Sequence, residues 1–277
     1  MLYYRASMIV QYLHQRVFFM SWHYQQQGSG RPLVLLHGIG MSHSAWRPVM
    51  PILAKHRQVI AFDLPGFGRS MILPNGTVPN AHNIIKSLGL KLKAMGIDEP
   101  VDFAGNSLGG YLALEAAKQG LARSVVALSP AGLWKQEAAA HVAPMFDIMR
   151  GAIKTFPRMS YALMRLPPTR ALLMAVPVSS QAWRMSAKDA VVAAKNFAHC
   201  KAFDETKEAM SPFVGGHDLK IPLTVAFGTR DWLLTPSNQH ADELPKHTRW
   251  LNPKGWGHVP MWDNPNAVAQ LILEGTK

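Results

Sequence analysis

At 277 residues, 48% hydrophobic and 17% charged, the chain can bury one substantial core but is short for two independent domains. Its single cysteine, Cys200, excludes an internal disulfide and points to a reducing, cytoplasmic setting. Lysine and arginine outnumber the acids 29 to 17, a net charge of +12, yet no nucleic-acid-reading motif accompanies the excess, and the 12 histidines include no metal-binding spacing such as His-Glu-x-x-His.

Residues 1–17 mix apolar residues with Arg5, Gln11, His14, Gln15 and Arg16. The mixture is too interrupted for a membrane span, has no signal-peptide cleavage pattern, and reads as a flexible extension. From Phe18, the stretch through Tyr24 predicts the first antiparallel strands, closed by a turn at Gly28-Ser-Gly30. Pro32-Leu-Val-Leu-Leu36 is a continuous apolar run, the pattern of a buried parallel strand. It ends in the loop His37-Gly-Ile-Gly40, which can present the Ile39 N–H; His37 reads as a residue that orders this loop. Gln58-Val-Ile-Ala-Phe-Asp63 is a further strand before the turn Leu-Pro-Gly-Phe-Gly-Arg-Ser70, with Asp63 tying down the turn.

Val101–Asn106 is the next apolar strand, and Gly105-Asn-Ser-Leu-Gly109 sets a serine between two glycines where the strand becomes a helix. That is the pattern of a nucleophile elbow. The turn strains Ser107, the glycines remove side chains that would collide with neighbouring backbone, and the Leu108 N–H lies at the positive end of the new helix. Ser124–Leu128 is another strand. The following segment is rich in Ala, Met and Leu and lacks strand patterning, so it reads as a helical cap that includes one helix from Ser186 to Met210.

Met145, Phe146, Met149, Phe156, Met159, Leu163, Met164, Leu172, Leu173 and Met174 offer flexible apolar surface there; most are expected to pack helices together, the rest to suit an acyl chain. Arg150, Lys154, Arg158, Arg165, Arg170, Arg184 and Lys188 fall between Asp147 and Asp189 without an intervening acid. This basic surface suits an acidic carrier protein or an anionic lipid surface. Pro222–Phe227 is a strand that leads through Gly228 to Asp231. Asn252–Pro260 then places His258 on a glycine-rich loop ahead of a helix over Asn264–Leu273, whose start takes in Asp263.

Ser107, Asp231 and His258 occur in the order nucleophile, acid, base. With the His-Gly-x-Gly loop at His37, the Asp-x-Pro-Gly-x-Gly turn at Asp63, the Gly-Asn-Ser-Leu-Gly-Gly elbow, Gly-Thr-Arg-Asp231 and Gly-His-Val-Pro260, the chain resembles the α/β-hydrolase superfamily from about Phe18 to its end. It is most similar to the capped serine esterases related to bacterial carboxylesterases, acyl-carrier-protein methyl ester esterases and C–C bond hydrolases. The resemblance implies a mostly parallel sheet flanked by helices, with a core of residues 18–134 and 214–277 and a cap at 135–213. It implies a Ser107–His258–Asp231 triad, an oxyanion hole from the Ile39 and Leu108 N–H groups, and no metal or organic cofactor. The expected substrate is a small-molecule ester with a small-to-medium apolar acyl group. Epoxide hydrolases and haloalkane dehalogenases of this fold carry an aspartate at the elbow, so neither activity is implied. Two alternatives remain: a C–C hydrolase of aromatic ring-cleavage products with Arg184 holding the substrate carboxylate, and a hydrolase-fold ligand-binding protein.

Overall fold

The computed structural model describes residues 22–135 and 142–277. The N-terminal extension and the Phe18–Ser21 part of the predicted first strand lie outside the described residues. Five apolar runs form parallel neighbours: β2 (Pro32–Leu36), β3 (Gln58–Phe62), β4 (Val101–Asn106), β5 (Ala122–Leu128) and β6 (Leu223–Ala226). β1 (Tyr24–Gln27) pairs antiparallel with β3, and β7 (Arg249–Leu251) adds in parallel to β6, giving the order β1-β3-β2-β4-β5-β6-β7. These runs do not alternate with polar residues because both faces of the sheet are covered. Val34 and Leu36 pack with Ile84, Leu88 and Leu112 on one face; Leu33 and Leu35 pack with Trp46, Leu53, Val268 and Ile272 on the other.

The covering helices are α1 (Met50–Leu53), α2 (Ala81–Ala94), α3 (Leu108–Lys118) and, at the C-terminus, α9 (Pro265–Gly275). Between β5 and β6 run α4 (Val142–Thr155), α5 (Pro157–Arg165), α6 (Pro167–Met174), α7 (Ala187–His199) and α8 (Phe203–Glu208). This inserted set has an apolar cluster of its own, with Ile153, Met164, Met174, Met185 and Ala194 buried in it. Chain order reverses direction across the sheet between β2 and β4, and the loops leaving their C-terminal ends open a crevice there.

One local expectation needs correction. The helix predicted over Ser186–Met210 is interrupted: Cys200 is extended (φ −62, ψ 134), and Lys201 N–H bonds to Gly66 O at 2.9 Å. The carbonyl of the turn after β3 thus takes a donor that a continuous helix would have used internally. β7 was not anticipated at all: it is a three-residue edge strand, too short to leave a periodic signal.

Candidate active site

The backbone of Ser107 has φ 55 and ψ −119, a left-handed conformation that costs a non-glycine residue about 1–3 kcal/mol. Its neighbours hold it there: Ser107 N–H donates to Leu128 O at 3.0 Å, and Ser107 O accepts from Tyr111 and Ala131. The flanking glycines are required sterically. A Cβ on Gly105 would stand 2.0 Å from Gly109 O, and one on Gly109 would stand 2.0 Å from Leu36 O. Gly38, in the loop after β2, approaches closely enough that its Cβ would lie 3.2 Å from the Ser107 Cβ. That approach brings the Ile39 loop to the elbow. Neither the Ile39 nor the Leu108 N–H donates a hydrogen bond among the described residues.

Asp231 follows β6 and accepts from the Leu233 and Leu234 N–H groups at 3.1 and 2.9 Å. His258 Nδ1 lies 3.0 Å from Asp231 Oδ2 and 3.2 Å from Oδ1. Burial pushes the Asp231 carboxyl up, but the adjacent His258 and the Leu234 N–H outweigh it and leave the group below its ordinary pKa. An ionised carboxylate only accepts, so neutral His258 carries its proton on Nδ1 and keeps Nε2 as an acceptor. His258 and Ser107 line the same cavity without a hydrogen bond between them. Such contacts commonly tighten when substrate is bound.

Three ties hold the His258 loop. Arg230 N–H donates to Trp256 O (2.8 Å), Val259 N–H to Val178 O (2.6 Å), and Asn106 Nδ2 to His258 O (2.8 Å). The last bond joins the residue before the elbow serine to the backbone of the histidine, and the sequence signals it only as the Asn of Gly-Asn-Ser. Asp263, expected at a helix start, instead accepts from Gly257 N–H, Ser179 Oγ and Gln181 N–H, while Asn264 caps α9. It thereby clamps the segment after α6 onto the His258 loop.

His37 is fully buried. Nδ1–H donates to Gly38 O at 2.7 Å and Nε2 accepts from Leu64 N–H at 3.0 Å, so both ring nitrogens hold loops and neither faces the cavity. Burial lowers its pKa to about 4, only partly opposed by Asp63. Buried Asp63 accepts from His43 N–H and Nδ1–H on one oxygen, and from His23 Nδ1–H and Arg69 N–H on the other. The ligand atoms of His23, His43 and Asp63 lie within 4.8 Å of one another. Four donors already occupy the carboxylate, so the geometry is that of a turn anchor.

The cavity over Ser107 has a volume of about 90 Å³. Phe146, Met149, Met164, Leu173 and Met174 of the inserted helices line it; Phe156, Met159 and Leu172 lie exposed outside it. Half of the apolar set singled out in the sequence therefore faces the cavity, a larger share than expected. The one acidic or basic side chain other than the His258 imidazole that lines it among the described residues is Asp189, paired with Arg47. Arg184, the cation considered for a substrate carboxylate, does not line the cavity; its Nη1 donates to Asp263 O at 3.2 Å.

Residues 33–271 match the model of the alpha/beta hydrolase family. The chain belongs to that family. It is 30% identical over 186 residues to the epoxide hydrolase EphH of Mycobacterium tuberculosis, covering 63% of this chain and 85% of that one. Over 93 residues it is 43% identical to a 2-hydroxy-6-oxo-2,4-heptadienoate hydrolase of Pseudomonas putida, a match spanning 32% of this chain and 33% of the relative. Among solved structures, a thermophilic esterase from Thermogutta terrifontis superposes with a TM-score of 0.66 at 19% identity, covering 91% of this chain and 92% of that one. The relatives thus include hydrolases of epoxides, C–C bonds and esters on one scaffold.

Proposed function

We propose that the chain is a serine hydrolase of carboxylic esters with small-to-medium apolar acyl groups. The observation that carries this reading is a strained serine on an elbow, facing the same apolar cavity as a histidine oriented by a buried carboxylate. Ser107 Oγ attacks the ester carbonyl as His258 Nε2 takes its proton, and Asp231 stabilises the imidazolium. The Ile39 and Leu108 N–H groups receive the oxyanion, each worth about 3 kcal/mol by analogy with other oxyanion donors. His258 then protonates the departing alcohol, and water releases the acid from the acyl-enzyme by the reverse route. The inserted helices act as a cap that excludes water and measures the acyl chain.

The Pseudomonas putida relative favours the C–C hydrolase reading, but the lining disfavours it. A dienoate carboxylate needs a cation, and the cavity offers Asp189 instead. The likeness to EphH meets a different obstacle. A serine that opened an epoxide would be left as an alkyl ether, which the triad cannot hydrolyse, whereas an aspartate forms an ester that water can cleave.

Initial rates on p-nitrophenyl esters from acetate to palmitate, for wild type and Ser107→Ala, test the reading. Turnover with an optimum at short-to-medium chains, abolished in Ser107→Ala, supports it. An inactive wild type across the whole series sinks it, and ligand binding that survives Ser107→Ala without turnover favours the binding-protein alternative.

A further inference from the structure

The inserted helices carry large apolar side chains on their outer surface as well as on their cavity side. Ile148 is 73% exposed and Leu172 is 78% exposed; Phe156, Met159, Leu166 and Trp183 are each more than half exposed. These residues sit on or beside α4, α5, α6 and the turn Ala182–Arg184, which pack on one another in succession. So much apolar surface on one part of a molecule marks an interaction site.

The cations on these elements and at the start of α7 divide into three sets. Arg150 and Arg170 are buried, Arg150 against Cys200 Sγ and the Phe203 ring, Arg170 on the carbonyls of Met164 and Ala182. Lys154, Arg158, Arg165 and, on α7, Lys188 are exposed, and none forms an ion pair among the described residues; Arg184 is exposed but tied to the Asp263 carbonyl. Leu173, next to Leu172, is 41% exposed and also lines the cavity, so the apolar surface reaches the entrance of the site.

We propose that this outer face docks on an anionic lipid surface. The exposed apolar side chains enter the interface, Trp183 lies at headgroup level, and the exposed cations rest on lipid phosphates. The cavity entrance at Leu173 then meets the bilayer, and an apolar ester passes from lipid to Ser107 without crossing water. That last step rests on the esterase reading; the docking does not. A second copy of the chain is a poorer occupant, because a symmetric contact sets cation against cation. An acidic carrier protein matches the charge but leaves six large apolar side chains without a role. No helix among the described residues is long and apolar enough to cross a membrane.

The test is flotation of the full chain with phosphatidylcholine vesicles, with and without phosphatidylglycerol. Binding should require the anionic lipid and weaken with salt. Arg158→Gln with Arg165→Gln should lower partitioning roughly 30-fold, and Leu172→Ser with Trp183→Ser at least roughly 10-fold. Both variants should hydrolyse soluble p-nitrophenyl butyrate as wild type does, which checks their fold. Ser107→Ala should float like wild type. Equal or absent binding to both vesicle types, or double variants that float like wild type, overturns the proposal; so does capture of an acidic carrier protein without vesicle binding. Vesicle binding by a wild type that hydrolyses no ester leaves the docking standing and defeats the esterase reading alone.

Discussion

The two halves of the candidate site are built on different principles. At the strand ends, polar groups are held by directional bonds: Asp231 by two backbone N–H groups, His258 by Asp231 and Asn106, the loop after β2 by His37. Above them, the inserted helices present Phe146, Met149, Met164 and Met174, whose contacts are non-directional and can rearrange. Reaction chemistry needs atoms placed to a fraction of an ångström, and hydrogen bonds with a strained backbone supply that. Chain selection needs only volume and apolarity. Substitutions in the lower half should therefore change rate or stability at fixed specificity, and substitutions in the upper half should change specificity at nearly fixed chemistry.

The largest effect is expected at the elbow. Ser107→Ala should lower kcat/KM for the best p-nitrophenyl ester by roughly 10⁵ or more while the protein stays folded by circular dichroism. Residual turnover within 100-fold of wild type, a generous margin for roughly 10⁵, would remove Ser107 from the mechanism. Asp231→Asn should cost roughly 10⁴ in kcat, because an amide can hold the wrong tautomer of His258, with acyl preference unchanged across the ester series. A shifted chain-length optimum in that variant would blur the division between the halves.

A third prediction concerns stability. The folded-state pKa of His37 lies at about 4, below the ordinary 6.5, because burial penalises the charged ring. Between those values the unfolded chain binds a proton that the folded chain refuses, so stability falls as pH drops from 6.5 to 4, by about 3 kcal/mol. Asp63, which is lowered below its ordinary 3.8, loses its contribution only at more acidic pH, so the two windows are separate. His37→Gln retains an acceptor for the Leu64 N–H and should flatten the His37 window in urea unfolding at the two pH values. An unchanged slope would refute the assignment.

The smallest effect should come from the upper half. Met164→Ala should move the optimum toward longer acyl chains, each additional buried methylene gaining about 0.8 kcal/mol, roughly fourfold in kcat/KM. Loss of activity on every chain length to the same degree would show that the helices hold the chemistry as well as the substrate.

What could be read from the chain divides along the same line. β2 to β6 were legible because strands covered on both faces are continuously apolar, and the elbow was legible because Gly105 and Gly109 meet backbone that no side chain could share. The bond from Asn106 to the His258 carbonyl was not, since it joins residues 152 apart and leaves no local pattern. The break at Cys200 depends on a carbonyl of Gly66, and the clamp at Asp263 depends on where the segment after α6 returns. Arg184 looked available for a substrate carboxylate because charge runs do not reveal which cations point inward.

By itself the sequence determined the five buried strands β2 to β6, the turns that end them, and the order of serine, acid and histidine along the chain, because burial and backbone strain act on neighbouring residues and leave a local imprint. Only the tertiary structure decided which apolar residues of the inserted helices line the cavity, which face outward, and which cations are buried. Those outcomes depend on how separate helices pack, and many sequences with the same composition and periodicity would divide their surfaces differently.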